Sequence, residues 1–419
     1  MEKRPLLHYI WKNRLCNSSA LQTSTGDKIE IYTTGESSTD NSSFNDACIS
    51  IAGKELRGCI IVEPSNGYTP NDEAILCIAS PQNRAADNCK NVLRIEPGDK
   101  FGQEFQWVQK GKFACHEEIA ATDSLRTSSY LSRLLSERME EKSARIAATH
   151  LISDKRWEET LFRILARNFG FGIQSDAFEK WAELLNLAAL GKHRDNLLQV
   201  EAVFFGQAGL LEIESIPDYY RSEAERAPYY NELKREYKFL ATKFGLQQAD
   251  HNIWKSCGNS APHTRIARLA TMFHNGNITL SNIAECDTLD ELKRLLQTPL
   301  GGYWSNHSLF GSTTATGRPE TISTKHLNLF IINTIVPILY AYGKHRRDNA
   351  LCNKAEDFLH RLPVEDNGII RGWEKIGLHA RCAADTQALI QLKKEYCNKG
   401  RCIDCMFAYR HLKEAFTQK

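Results

Sequence analysis

Short β-prone runs open the chain. Lys28–Thr33 (KIEIYT), Ala47–Ala52 (ACISIA), Gly58–Val62 (GCIIV) and Ala74–Ala79 (AILCIA) are separated by polar stretches containing Gly or Pro, the pattern of strands joined by turns. Residues 83–107 offer one more strand, Asn91–Ile95. From about residue 128 the period changes. Leu131, Leu134, Leu135 and Met139 recur at helical spacing, with Ser128 as a candidate cap. Trp157, Leu161, Ile164, Leu165 and Phe169 form a second stripe, stopped by Gly170. Asp176 and Glu179 fit a capping-box spacing ahead of Trp181, Leu184 and Leu185. Helical periods follow over 196–207, 229–244, 263–274, 289–297, 326–342, 349–360 and 386–396. The pattern predicts an α+β protein with a β-rich domain over 1–125 and a larger all-α domain over 126–419. No regular repeat is visible, which excludes a solenoid of uniform units.

Length and charge sharpen this division. A chain of 419 residues exceeds one ordinary core. Its 42% apolar and 25% charged residues are those of a folded globular protein. The net charge of +2 gives no chain-wide footprint for a polyanion. Residues 1–124 hold 13 Lys/Arg and 17 Asp/Glu, a net of −4, so the helical part carries +6. The apolar run in MEKRPLLHYIWKNRL is too short for a signal peptide. Phe330–Tyr342 is shorter than the roughly 20 residues of a bilayer span. Asn333, Thr334 and Pro337 interrupt it, so it predicts a buried, Pro-kinked helix and no membrane partner. Thirteen cysteines, an odd count, point to a cytoplasmic protein with free thiols.

Several longer runs carry a resemblance. They are LLHYIWKNRL near the start, WEETLFRILARNFGF (157–171), KHRDNLLQVEAVFFGQAGLL (192–211), RIARLA (265–270), INTIVPILYAYGK (332–344) and YCNKGRCIDC (396–405). Together they resemble the bacterial DUF2851 family, whose N-terminal part is similar to a PD-(D/E)XK nuclease core. The resemblance implies a restriction-endonuclease-like fold for the β-rich domain. In that core two carboxylates on adjacent strands fix a magnesium ion, and a basic side chain orients the attacking water. Here the alignment puts the first acid on Ser43 and the second on Ile61, so the implied magnesium site is degenerate. A shifted register offers Asp40 or Asp46 with Glu63 as substitutes, but no Lys or His then occupies the partner position.

Other residues suggest metal or phosphate chemistry. Cys397-x4-Cys402-x2-Cys405 can converge on zinc or an iron–sulfur cluster, with Cys382, His379 or His411 as a fourth ligand. Against this stands the bland reading of free thiols packing a terminal turn. Lys344, Arg346, Arg347, Lys399 and Arg401, interleaved with aromatics, are candidate phosphate contacts for nucleic acid. A solvated helix face has the same composition. Lys192-His193-Arg194-Asp195 reads as a loop ending in an N-cap at Asp195, and Gly206-x-x-Gly209 as close helix packing. His263 and His274 are eleven apart, not a metal-ligand spacing.

Three functions follow: a non-catalytic, nuclease-derived binding or scaffold protein associated with nucleic acid; a metal-dependent nuclease or phosphodiesterase; and a structural zinc or iron–sulfur protein. The loss of acids at Ser43 and Ile61 favours the first.

Overall fold

The computed structural model describes residues 3–14, 21–65, 68–69, 73–95, 115–153, 156–257, 261–314 and 321–409. The chain forms two compact units. One comprises residues 1–127, 375–378 and 392–419; the other comprises 128–374 and 379–391. The expected helical domain over 126–419 thus yields its last segment to the N-terminal unit.

The first unit is built on a mixed sheet. Its strands are β1 (Ile29–Thr33), β2 (Glu36–Ser37), β3 (Ser43–Ile51), β4 (Lys54–Val62), β5 (Ala74–Ala79) and β6 (Val92–Arg94). The order is β1-β3-β4-β5-β6, with β2 beside β3. Pairing is antiparallel among β1, β2, β3 and β4, then parallel for β4 with β5 and β5 with β6. Ala52 and Gly53 join β3 to β4 with φ of 50° and 81°, the two left-handed positions that match strand twist in a tight hairpin. The observed β3 begins at Ser43 rather than at the predicted Ala47, and β4 at Lys54 rather than Gly58. The register slips between Phe44 and Ala47, where Asp46 has a φ of 53°. This bulge breaks the two-residue alternation that the sequence pattern relies on.

Helix α1 (Lys3–Lys12) lays Leu6, Leu7, Ile10 and Trp11 on one sheet face, against a core that includes Phe44, Ile60, Val62 and Ile78. Cys77 on β5 is bonded to Cys89. The expectation of free thiols throughout is corrected here, although nine other described cysteines are free.

The second unit is mostly helical. Helix Ser124–Ile152 starts upstream of the expected cap, so Ser128 lies inside it. The Asp123 carboxylate accepts from the Arg126 backbone N–H at 2.9 Å. Helix Leu197–Gln207 is buried on nearly every side. A Cβ on Gly206 would come within 2.2 Å of the Tyr237 ring, so this glycine serves close packing as its sequence context predicts. The predicted capping box at Asp176 and Glu179 does not form: Gln174 precedes that helix, and both acids pair with Arg167.

The apolar run near residue 335 lies in a longer helical stretch than its composition suggests. Thr324–Phe330, a π-helical turn Ile331–Ile335 and Val336–Arg346 follow one another. Thr324–Arg346 is long and apolar enough by composition to cross a membrane, and 72% of its apolar window is buried within the protein. Pro337 has no N–H to donate one turn back. The carbonyl of Asn333, four residues before it, instead accepts from Asn168 Nδ2 at 3.2 Å. The π-turn sits at this interruption, a common place for such turns.

Candidate functional site

The hairpin of β3 and β4 sets the geometry of the nuclease-like positions. Ser43 is registered directly opposite Ile61, while Phe44 and Ile60 next to them are wholly buried on the other face. Neither Ser43 nor Ile61 offers a carboxylate. The three substitute acids have separate local roles. Asp40 closes a turn, accepting from the Ser42 N–H at 3.2 Å and the Ser42 hydroxyl at 2.8 Å. The Ser42 and Ser38 hydrogen bonds hold its carboxyl down at about 2. Asp46 is the exposed residue at the bulge. Glu63, just past β4, accepts from the Ser80 N–H at 2.8 Å and the Ser80 hydroxyl at 2.6 Å. Among the described residues no group of three or more His, Cys, Asp or Glu side chains is arranged to hold a metal.

His8 is a neighbour that sequence reasoning did not single out. It stacks on Phe44 with ring centroids 4.3 Å apart, and its Nε2 meets Ser37 Oγ at 2.8 Å. Burial, then the Lys12 charge, lowers its pKa to about 4, although Asp40 opposes the shift. His8 is thus a neutral imidazole packed in the core, while Arg4 Nη2 donates to the Glu63 carbonyl at 2.9 Å. The period of α1 hides it, because His8 falls among core positions.

The tail cysteines lie on a tight reversal of the chain. Cys397 ends a π-turn (Leu392–Cys397), and Cys402 begins a short 3-10 turn ending at Asp404. Arg401 N–H returns to Tyr396 O at 2.9 Å, and Cys405 N–H to Cys402 O at 3.1 Å. Gly400, at a φ of 64°, supplies the reversal. Cys115 belongs to the same unit. Burial first, then the neighbouring cysteines, pushes the Cys115, Cys397 and Cys402 thiols up to about 12. Cys382 belongs to the helical unit, where its Sγ lies 3.9 Å from His360 Nδ1, and His379 belongs to that unit too. His411 lies outside the described residues.

The candidate phosphate contacts are divided between the two units. Lys399 and Arg401 belong to the first unit, Lys344, Arg346 and Arg347 to the second. Lys344 Nζ lies 2.6 and 2.5 Å from the two Glu140 oxygens. Lys399 pairs with Glu395, and Arg401 with Asp404 at 3.0 Å. Arg346 lies over the Tyr342 ring, and Arg347 is the left-handed C-cap of its helix.

A different cationic cluster lines a cavity of about 190 Å³ in the helical unit, formed by Arg138, Glu141, Lys142, Arg145, Arg167, Asn168 and Asn333 among others. Three turns of one helix supply Arg138, Lys142 and Arg145, and the π-turn supplies Asn333. Lys142 Nζ donates to Asn333 Oδ1 at 3.2 Å and Gln387 Oε1 at 2.7 Å. Arg138 meets Glu141 at 3.5 Å. Arg145 is open to solvent, and among the described residues no hydrogen bond or ion pair closes on its guanidinium. Partial burial, then the Arg167 and Arg138 charges, lowers its pKa. The sequence carries this cluster as an i, i+4, i+7 row of basic residues, but not its convergence with Arg167.

A larger cavity of about 520 Å³ is lined by Leu161, Phe162, Leu269, Met272 and Phe273. Its acids are already engaged: Glu159 pairs with Arg156 and Arg163, and Glu158 accepts from the Leu280 N–H. The Lys192–Asp195 segment is also structural. Asn196, not Asp195, caps the next helix, and Arg194 Nε donates to Phe273 O at 2.7 Å.

The family model described as "Protein of unknown function (DUF2851)" matches residues 4–66 and 96–368, well over half of the chain. The chain belongs to the DUF2851 family. No curated protein and no solved structure matches it. The DUF2851 match takes in α1, the β3–β4 hairpin, Cys115 and the cationic cavity. It leaves out β5, β6 and the cysteine tail, so the tail resemblance noted from YCNKGRCIDC lies outside the matched segments.

Proposed function

We propose that this DUF2851 protein is a non-catalytic, nuclease-derived binding protein that associates with phosphate-bearing ligands, nucleic acid among them. One observation carries the reading: Ser43 faces Ile61 across the hairpin while Glu63 spends both oxygens on Ser80. A hard divalent ion needs converging anionic oxygens, and these positions supply a hydroxyl, an alkyl group and an engaged acid. The element order supports the nuclease ancestry. A helix precedes an antiparallel β1-β3-β4 meander, and β5 then adds in parallel.

The binding half of the proposal rests on the Arg138–Lys142–Arg145–Arg167 cavity. Its basic groups outnumber its single lining carboxylate, Glu141, and phosphate oxygens would relieve the mutual repulsion of the arginines. The decisive experiment incubates the full chain with DNA and RNA substrates plus magnesium or manganese, and measures binding by fluorescence anisotropy. The expected result is no cleavage, together with salt-sensitive binding that weakens in Arg145→Ala and Arg167→Ala. Metal-dependent cleavage abolished by Glu63→Ala would establish the nuclease reading instead. Binding unaltered by either arginine change would remove the cavity from the account.

A further inference from the structure

We propose that the helical unit binds single-stranded nucleic acid, taking a backbone phosphate in the cavity at Arg145 and stacking the adjoining unpaired base on Phe171. This deepens the reading of that cavity as a phosphate site, on which it rests, by naming the kind of strand and the side chain that selects it.

Chain connectivity puts the two halves of the site together. Asn168 and Asn333 line the cationic cavity, and Asn168 Nδ2 donates to Asn333 O at 3.2 Å. One residue further along the first helix, Phe169 packs on Phe330 with ring centroids 4.3 Å apart. Both phenylalanines line a second hollow, of about 330 Å³, together with Phe171, Arg265, Ser323 and His326. Consecutive Cα atoms are about 3.8 Å apart, so the same two elements border a cationic hollow and an aromatic one side by side. Arg265 donates to Phe169 O at 3.2 Å and fixes this wall. The aromatic hollow is of ligand size, at the lower end of the usual range of about 300–1,000 Å³.

Two consecutive left-handed residues present the ring to solvent. Helix Trp157–Phe169 ends at Gly170, and Phe171 and Gly172 follow with φ of 48° and 86°. A bulky side chain at positive φ is a costly conformation. Here it holds a phenyl ring that is 41% exposed, just ahead of Ile173 at 80%. Edge-to-face contacts with His326 and Phe330, at centroid distances of 5.1 and 5.3 Å, set the orientation of the Phe171 ring. Every nucleobase has a π-face that stacks on such a ring. Bases in a duplex are already stacked on one another, so the platform selects unpaired ones. Arg167 pairs with Asp176 and Glu179, and Arg138 with Glu141. Arg145, on whose guanidinium no hydrogen bond or ion pair closes among the described residues, is then the principal donor to phosphate.

The test uses the full chain and three fluorescein-labelled probes of equal length: an oligothymidylate, the same backbone carrying abasic sites, and a blunt duplex. Anisotropy in low salt reads the affinity of each. The oligothymidylate is expected to bind more tightly than the other two. Phe171→Ala weakens its binding by about tenfold, a typical stacking loss, while Phe171→Tyr retains it. The abasic strand binds Phe171→Ala as it binds the parent, which also shows that the variant is folded. Phe239→Ala, which removes a ring 58% exposed on another helix, changes nothing. Arg145→Ala weakens the thymidylate and abasic strands alike. If Arg145→Ala weakens binding but the two strands bind equally and Phe171→Ala is silent, the phosphate site stands and the base platform is overturned. A duplex that binds as tightly as the oligothymidylate overturns the choice of a single strand. If no probe binds, or Arg145→Ala and Phe171→Ala are both silent, the phosphate reading of the cavity falls as well.

Discussion

Glu63 shows how an acidic side chain can be committed to a local structural role. Its carboxylate satisfies the N–H and hydroxyl of Ser80, which is itself 2% exposed at the end of β5. A buried donor left without a partner costs about 1–3 kcal/mol. Glu63→Ala is therefore expected to lower the unfolding free energy by about 1–3 kcal/mol, read as a lower urea midpoint, with no accompanying loss of any enzymatic signal. An unchanged midpoint would mean that the Glu63–Ser80 pair is dispensable and the acid is free for another role. From the sequence, Glu63 was visible as an acid near the expected position. Its commitment to Ser80 was not, because the partner lies on a strand added in parallel after a crossover.

At the scale of elements, the helical run Thr324–Arg346 holds together across a proline by using a side chain from another helix. Asn168 donates to Ile164 O in its own helix and to the Asn333 carbonyl freed by Pro337. Asn168→Ala leaves that carbonyl without this donor, and destabilisation of about 1–3 kcal/mol is expected by chemical denaturation. Asn168→Asp should also destabilise, because a carboxylate cannot donate. If both variants melt like the parent, water serves the carbonyl equally well. The position of this stretch was legible from Phe330–Tyr342, and its interruption from Pro337. Its π-turn was not, since a local pattern does not show which distant donor is at hand. The capping box at Thr288 and Glu291 is the converse case: the motif is local and complete, ahead of a helix whose period over 289–297 was legible in the sequence.

For the molecule as a whole, buried titratable groups shape the response to pH. Burial lowers the His263 pKa to about 3 from an ordinary 6.5, and that of His8 to about 4. As the pH falls through 6.5 the unfolded chain takes up protons that the folded chain refuses, so stability declines. Glu201 acts in the opposite sense. Burial raises its pKa to about 7 from 4.5, against hydrogen bonds from Tyr229 and Trp304. Its contribution is fully present below 4.5 and is lost as the pH rises through 7. Glu201→Gln removes only the second effect. Relative to the parent, the variant should gain stability between about pH 5 and about pH 8, measured as the difference in melting temperature at each end. A difference that stays constant across that interval would show that Glu201 does not titrate there.

Local chemistry determined the succession of strands and helices, the burial of the stretch near residue 335, the close packing at Gly206 and the absence of carboxylates at Ser43 and Ile61. Each depends on residues a few positions apart or on the side chain itself, and such relations are written in order along the chain. Tertiary structure decided that residues 392–419 fall in the N-terminal unit and that Arg138, Lys142, Arg145 and Arg167 share a cavity. These are meetings between segments far apart in sequence. They arise from which apolar faces can be buried together, a choice made by the whole core rather than by any window of residues.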